Sequence, residues 1–241
     1  VTLTRDRRVA RQWIMSNVAV HPNFQGRGIA SQLVGVSIDY LRNRGARRIR
    51  LQVRTDNVAA QRLYAHERFR NYDTRSELVG RPEAMRSTEA AETMVPLKQR
   101  HLRSVVQLAA ASIPLSEQQI RPIRSGDYLP GRAELAKEWI ADRIFARQLP
   151  RRLGWRDQQG AVAAYLEIAS PNSSQSSIKV LQHPASRGLC ERDLAQSASA
   201  LVAELNAGSC FAFLPERDET LIDRLQYEGF ELIRELDQLV L

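Results

Sequence analysis

The feature that most constrains the fold is a strand, a turn and a glycine-bearing loop that opens a helix, all between Trp13 and Arg44. WIMSNVAV, Trp13–Val20, is short, apolar and β-branched towards its end, and reads as a buried strand. HPNF follows as a turn, with Pro22 and Asn23 as breakers. QGRGIA, Gln25–Ala30, then opens a helix that runs to about Arg44. Ile29, Leu33, Val36 and Tyr40 recur at helical spacing, as do Ala30, Val34, Ile38 and Leu41, so the pattern predicts a broad buried face. Gly45 is placed to end that helix at its C′ position. A second strand, Arg48–Val53, alternates apolar and polar residues. Thr55, Asp56 and Asn57 offer capping side chains to a helix over Val58–Glu67, and Phe69–Val79 is extended again. This order specifies an α/β fold.

The second half starts a similar series. Gly80–Ala91 is polar and contains a proline, so it reads as a linker. Met94–Leu97 is then a strand, and His101–Ala111 and Ala133–Arg147 are helices. Arg152–Asp157 and Ala161–Ala169 form a hairpin about Gly160. Strand Ile178–Leu181, helix Glu191–Asn206, strand Cys210–Leu214, helix Glu219–Glu228 and strand Phe230–Leu241 complete the chain. The halves overlay. VAVHPNFQGRG lies over KVLQHPASRG with His21 on His183, an offset of 162 residues, and RLYAHERF from Arg62 over DRLQYEGF from Asp223 at 161. FRNYDTRSELV and FELIRELDQLV match at the same offset. Three matches in order indicate a duplicated domain.

Composition narrows the function classes. The hydrophobic fraction of 43% suits a globular protein, and no apolar run approaches the ~18 residues that span a bilayer. Val1–Arg11 is polar and basic with no signal-peptide core, so cytoplasm is the expected compartment. Cys190, Cys210 and four scattered histidines make neither a disulfide framework nor a metal site. Val1–Arg100 holds 19 Lys and Arg against 9 Asp and Glu, while the remainder is close to neutral. A basic first half suits an anionic ligand, but no basic run with interleaved aromatics argues for nucleic acid.

NVAVHPNFQGRGIASQLV followed by RLQVRTDNVAAQRLYAHERF resembles the two signature motifs of the GNAT superfamily of N-acetyltransferases. The first matches the Q/R-x-x-G-x-G/A loop. The second matches N-x-x-A-x-x-L-Y-x-x-x-G-F, except that Arg68 stands where glycine is usual. The strong match covers Trp13–Phe69, about a quarter of the chain. The resemblance implies acetyl-coenzyme A as co-substrate and a mixed central sheet flanked by helices. It implies that Gln25, Gly26, Arg27, Gly28, Ile29, Ala30 and Ser31 cradle the pyrophosphate, which the N–H groups of a helix N-terminus suit. It implies that Val18, Ala19 and Val20 offer backbone groups to the pantetheine arm and the thioester oxygen. Asn57 would bond the arm, and Tyr64, two helical turns on, would protonate the departing thiolate. Trp13–Val20 supplies no carboxylate as general base; His21 and a water-mediated path stay open.

Two tandem GNAT-like domains are therefore expected, 1–80 and 92–241, joined by a linker at 81–91. The first, which binds the cofactor, is expected to lack a beginning, because Glu92–Val162 has no counterpart before Val1. Its sheet is then expected to expose apolar surface, or to associate, so a homodimer is compatible with this reading. In the second domain Cys190, Arg192, Asp218 and Leu225 overlie Gly28, Ala30, Asn57 and Tyr64, so its cofactor site is expected to be degenerate. The expected activity is acetyl transfer to a primary amine, on a small molecule or a protein. A non-catalytic acyl-coenzyme A sensor is the alternative.

Overall fold

The computed structural model describes residues 1–128, 150–169, 175–205 and 208–241; the helix expected over Ala133–Arg147 lies outside them. The chain divides into two compact units, Val1–Arg75 with Arg234–Leu241, and Ser76–Ile233.

The first unit contains β1 (Thr2–Arg5), β2 (Gln12–Ser16), α1 (Ile29–Asn43), β3 (Arg48–Arg54), α2 (Val58–His66) and the start of β4 (Arg70–Gly80). It also takes most of the chain's last strand, β10 (Glu231–Val240). The strand order is β1-β2-β3-β10-β4. β2 and β3 are parallel, as the helical crossover through α1 requires, while β10 runs antiparallel to β3 with Leu239 opposite Leu51. Met15, Ile49, Leu51, Val53 and Leu239 point to one face and pack with Val34, Ile38 and Leu41 of α1 and Tyr64 of α2. Helix α1 ends as the sequence predicts. Gly45 has φ 78°, its N–H donates to the Arg42 carbonyl, and the Ala46 N–H donates to the Leu41 carbonyl, which is a Schellman closure.

Two expectations for this unit fail. Val36 and Tyr40 do not join the buried face of α1: Val36 is 70% exposed and Tyr40 carries Arg44 over its ring. The sheet face opposite the helices is not apolar. Register places Gln12, Arg48, Arg50, Gln52, Arg54 and Gln238 there beside Ile14, Leu236 and Val240. Arg50 lies 3.7 Å from Asp6 and 3.4 Å from the Tyr72 hydroxyl, and Gln52 donates to Gln238 at 2.9 Å. Burial alone would raise the Asp6 carboxyl. Hydrogen bonds from the Arg8 and Val9 N–H groups and Gln12, with the Arg50 charge, bring it below the usual range.

The second unit contains β5 (Met94–Pro96), α3 (Leu102–Ser112), α4 (Leu115–Ile120), β6 (Arg151–Arg156), β7 (Val162–Ala169) and β8 (Gln175–Gln182). α5 (Glu191–Ala203), β9 (Ser209–Pro215) and α6 (Glu219–Tyr227) follow. One side of its sheet packs Leu166, Ile178, Ala212 and Leu214 against Leu194, Ala198 and Leu221 of α5 and α6. The other side packs Tyr165 and Leu181 against Val105, Leu108 and Ala109 of α3.

The compact units do not follow the boundaries at Gly80 and Glu92. Ser76–Gly80 is fully buried, and Leu78 belongs to the second unit's core with Phe230. The polar stretch 81–91 is not a loose tether. The N–H groups of Ser87 and Ala91 donate to the hydroxyls of Ser199 and Ser197 on α5 at 3.1 and 3.0 Å. Its backbone is bonded to a helix face while Arg81, Glu83, Arg86, Thr88 and Glu89 stay exposed, and composition does not reveal those backbone bonds.

Candidate functional site

The expected strand Trp13–Val20 ends early, at Ser16, because Asn17 adopts φ 53°. That left-handed conformation turns the chain out of the ladder. β2 pairs with β3 only over Gln12–Ile14 and Arg48–Arg50, while β3 continues to Arg54. No described residue pairs with the backbone of Val18 or Ala19, and the Val20 carbonyl accepts from Gln25 Nε2 at 3.0 Å. A divergent pair of strands and a run of unpaired peptide groups thus lie directly before the loop.

A 3₁₀ turn over Pro22–Phe24 follows, with His21 Nδ1 accepting from the Asn23 N–H at 3.3 Å. His183 repeats this cap on Ala185 at 3.2 Å in the second unit, so His21 does the work of a turn residue. Arg27 stacks over Phe24 at 5.5 Å. Gly26 and Gly28 both have φ 75°, and Gly28 is the N-cap of α1 with no side-chain cap and no acidic residue in the first turn. A Cβ at either glycine would meet nothing within 4 Å, so open space lies in front of the loop. Unpaired N–H groups, the positive end of the helix dipole and glycine backbone are features that suit an anion.

α2 presents the other two candidates. Asn57 is its N-cap, and its Oδ1 accepts from the Ala60 N–H at 3.1 Å; its Nδ2 makes no bond to a described residue. Tyr64 is 6% exposed and packs edge-on against Phe69, with centroids 5.7 Å apart. Its hydroxyl bonds no described residue, and burial raises its pKa above the ordinary value, so it holds its proton at neutral pH. The Ser31 hydroxyl donates to Glu67 Oε1, at the C-cap of α2, at 3.2 Å.

Sequence reasoning missed what holds α2 in place. Gln61 Nε2 donates to the Thr55 carbonyl at 2.9 Å and to Asp237 at 3.1 Å. Asp237 also accepts from Asn71 at 3.0 Å and Thr74 at 2.7 Å. Asp237 sits on the last strand, far from the motif in sequence, so no local signal marks it. Among the described residues no group of His, Cys, Asp and Glu is placed to hold a metal ion, and no helix is long and apolar enough to cross a membrane.

Residues 2–69 match the acetyltransferase (GNAT) family. A curated relative, N-alpha-acetyltransferase 30 of Schizosaccharomyces pombe, is 38% identical over 55 residues; the match spans 23% of this chain and 37% of that protein. Among solved structures, a GCN5-related N-acetyltransferase from Sphaerobacter thermophilus aligns over 99% of this chain and 75% of its own, with TM-score 0.63 and 13% identity. A tandem GNAT protein from the clavulanic acid biosynthesis pathway aligns over 96% of this chain and 75% of its own, with TM-score 0.53 and 16% identity. At these identities the likeness is one of fold.

Proposed function

Given that the chain carries a domain of the acetyltransferase (GNAT) family over residues 2–69, we propose that it transfers an acetyl group from acetyl-coenzyme A to a primary amine in a ternary complex. The carrying observation is the uncapped N-terminus of α1 behind Gly26 and Gly28, preceded by the unpaired backbone of Val18 and Ala19. In this reading Gln25–Ser31 holds the pyrophosphate, and Val18–Val20 aligns the pantetheine arm in the gap between β2 and β3. Their N–H groups stabilise the oxyanion that forms when the amine nitrogen attacks the thioester carbon. Asn57 Nδ2 adds a donor to the arm. As the C–S bond breaks, the Tyr64 hydroxyl gives its proton to the sulfur, and the amine loses its own proton to solvent or a base outside Trp13–Val20.

The stretch shared with an N-alpha-acetyltransferase makes a peptide α-amine the first acceptor to test, ahead of lysine side chains and small amines. The assay follows free thiol from acetyl-coenzyme A across such a panel. Thiol release that depends on an acceptor is the expected result. Cofactor binding with no release on any amine would replace catalysis by acyl-coenzyme A sensing.

A further inference from the structure

The second unit repeats the loop with one substitution of ligand. His183 caps a 3₁₀ turn over Pro184–Ser186, as His21 caps Pro22–Phe24, and Gly188 has φ 83° where Gly26 has 75°. At the next key position Cys190 has φ −119°, against 75° at Gly28, so the backbone has left the left-handed form. Directly after it, Glu191 begins α5. Its side chain is turned back into the loop and is only 4% exposed. The carboxylate accepts from the Gly188 N–H at 2.6 Å and from the Cys190 N–H at 3.1 Å. These are the amides of the second cradle, and an anion already holds them.

The rest of the would-be cofactor path is filled as well. Arg187 and Asp218, at the places of Gln25 and Asn57, form an ion pair at 3.0 Å with Asp218 buried. Burial raises the Asp218 carboxyl above its usual range against the opposing charges of Arg187 and Arg217. Leu225, in the place of Tyr64, is buried in the apolar core and carries no proton to give.

We infer that Glu191 is an internal ligand: its carboxylate occupies the second unit's anion cradle, which is therefore closed to phosphates, and the described residues hold one coenzyme A site. The count of one rests on the function proposed for the first unit; the self-filled cradle does not. A bound carboxylate satisfies two loop amides at no translational cost, so a free phosphate must displace a tethered competitor. Removing that carboxylate while keeping the loop should leave amides with no partner at a helix N-terminus, a state that favours an incoming anion.

Calorimetry on the full chain separates the two claims. The parent is expected to bind one coenzyme A and Gly28→Glu none; coenzyme A still bound by Gly28→Glu, or two bound by the parent, would overturn the single-site claim. Inorganic pyrophosphate is then titrated into Gly28→Glu and into Gly28→Glu with Glu191→Ser. Only the second protein is expected to gain a pyrophosphate site, with affinity at least about tenfold above the first. Equal pyrophosphate binding overturns the internal ligand. Should the serine variant melt early, Glu191→Ala, a better helix former that likewise removes the acceptor, carries the same comparison. A parent that binds no coenzyme A defeats the proposed function, and the pyrophosphate arm still decides the role of Glu191.

Discussion

The first and second units share a strand, a histidine-capped turn, a glycine loop, a helix, a strand and a second helix, yet their loops end differently. In the first, Gly28 stays left-handed, the helix N-terminus meets open space, and Tyr64 keeps an unbonded hydroxyl. In the second, the matching places hold a right-handed Cys190, a buried carboxylate and Leu225. The packing residues are alike in both while the polar residues of the loop and second helix differ. Keeping a fold and keeping an anion site are thus separate demands on the same loop. The fold needs the turn and the apolar helix face. The site needs uncovered N–H groups.

A second contrast lies on the other side of each sheet. In the second unit α3 covers Tyr165 and Leu181, whereas the matching face of the first unit is written in arginine and glutamine. The basic charge of the first half is therefore partly structural: Arg50 joins Asp6 and Tyr72 across that face.

The helix-ending turns offer the largest effect with which to break the comparison. Gly229 has φ 104°, and a Cβ there would lie 2.1 Å from the Ala84 carbonyl oxygen. Gly229→Ala is expected to destabilise the second unit by about 3 kcal/mol or more, through backbone clash and left-handed strain. A denaturation midpoint unchanged from the parent would show that the turn relaxes.

Tyr64→Phe comes next. Turnover should fall by about 10²-fold with coenzyme A affinity unchanged, the lower end for general acid catalysis. Because burial raises the Tyr64 pKa above its ordinary value of 10.0, the acid stays protonated as pH rises, and the Tyr64-dependent alkaline limb should lie above that value. A loss of activity centred below it, kept in Tyr64→Phe, would belong to another group.

Asp237→Ala tests whether the last strand positions α2. It removes the acceptor shared by Gln61, Asn71 and Thr74, and a small displacement of Tyr64 should lower kcat by roughly tenfold while coenzyme A affinity holds. Equal loss in affinity and kcat would point to general unfolding instead.

The smallest effect has the opposite sign. Arg68 occupies the place of Gly229 with φ 66°. Arg68→Gly should relieve left-handed strain and raise stability by about 1 kcal/mol, readable as a higher melting temperature.

Much of this was legible in sequence where chemistry acts locally. Asn57 reads as an N-cap from its type and place, Gly45 as a helix stop, and the glycine loop from its position between strand and helix. β1 was not legible, because TLTR is short and polar. The end of β2 was hidden, since nothing in NVAV signals that Asn17 turns left-handed. Glu191 reads from sequence as an ordinary first-turn acid, and only its side-chain direction makes it a ligand. Asp237 and the split of β4 and β10 between units depend on strand pairing across the chain, which no local pattern encodes.

The central claim is that cofactor chemistry resides in the first loop alone. Amide hydrogen exchange with and without acetyl-coenzyme A tests it most directly. The account predicts added protection in peptides covering Val18–Ser31 and none in those covering His183–Arg192. Protection in the second loop, or in neither, would contradict it.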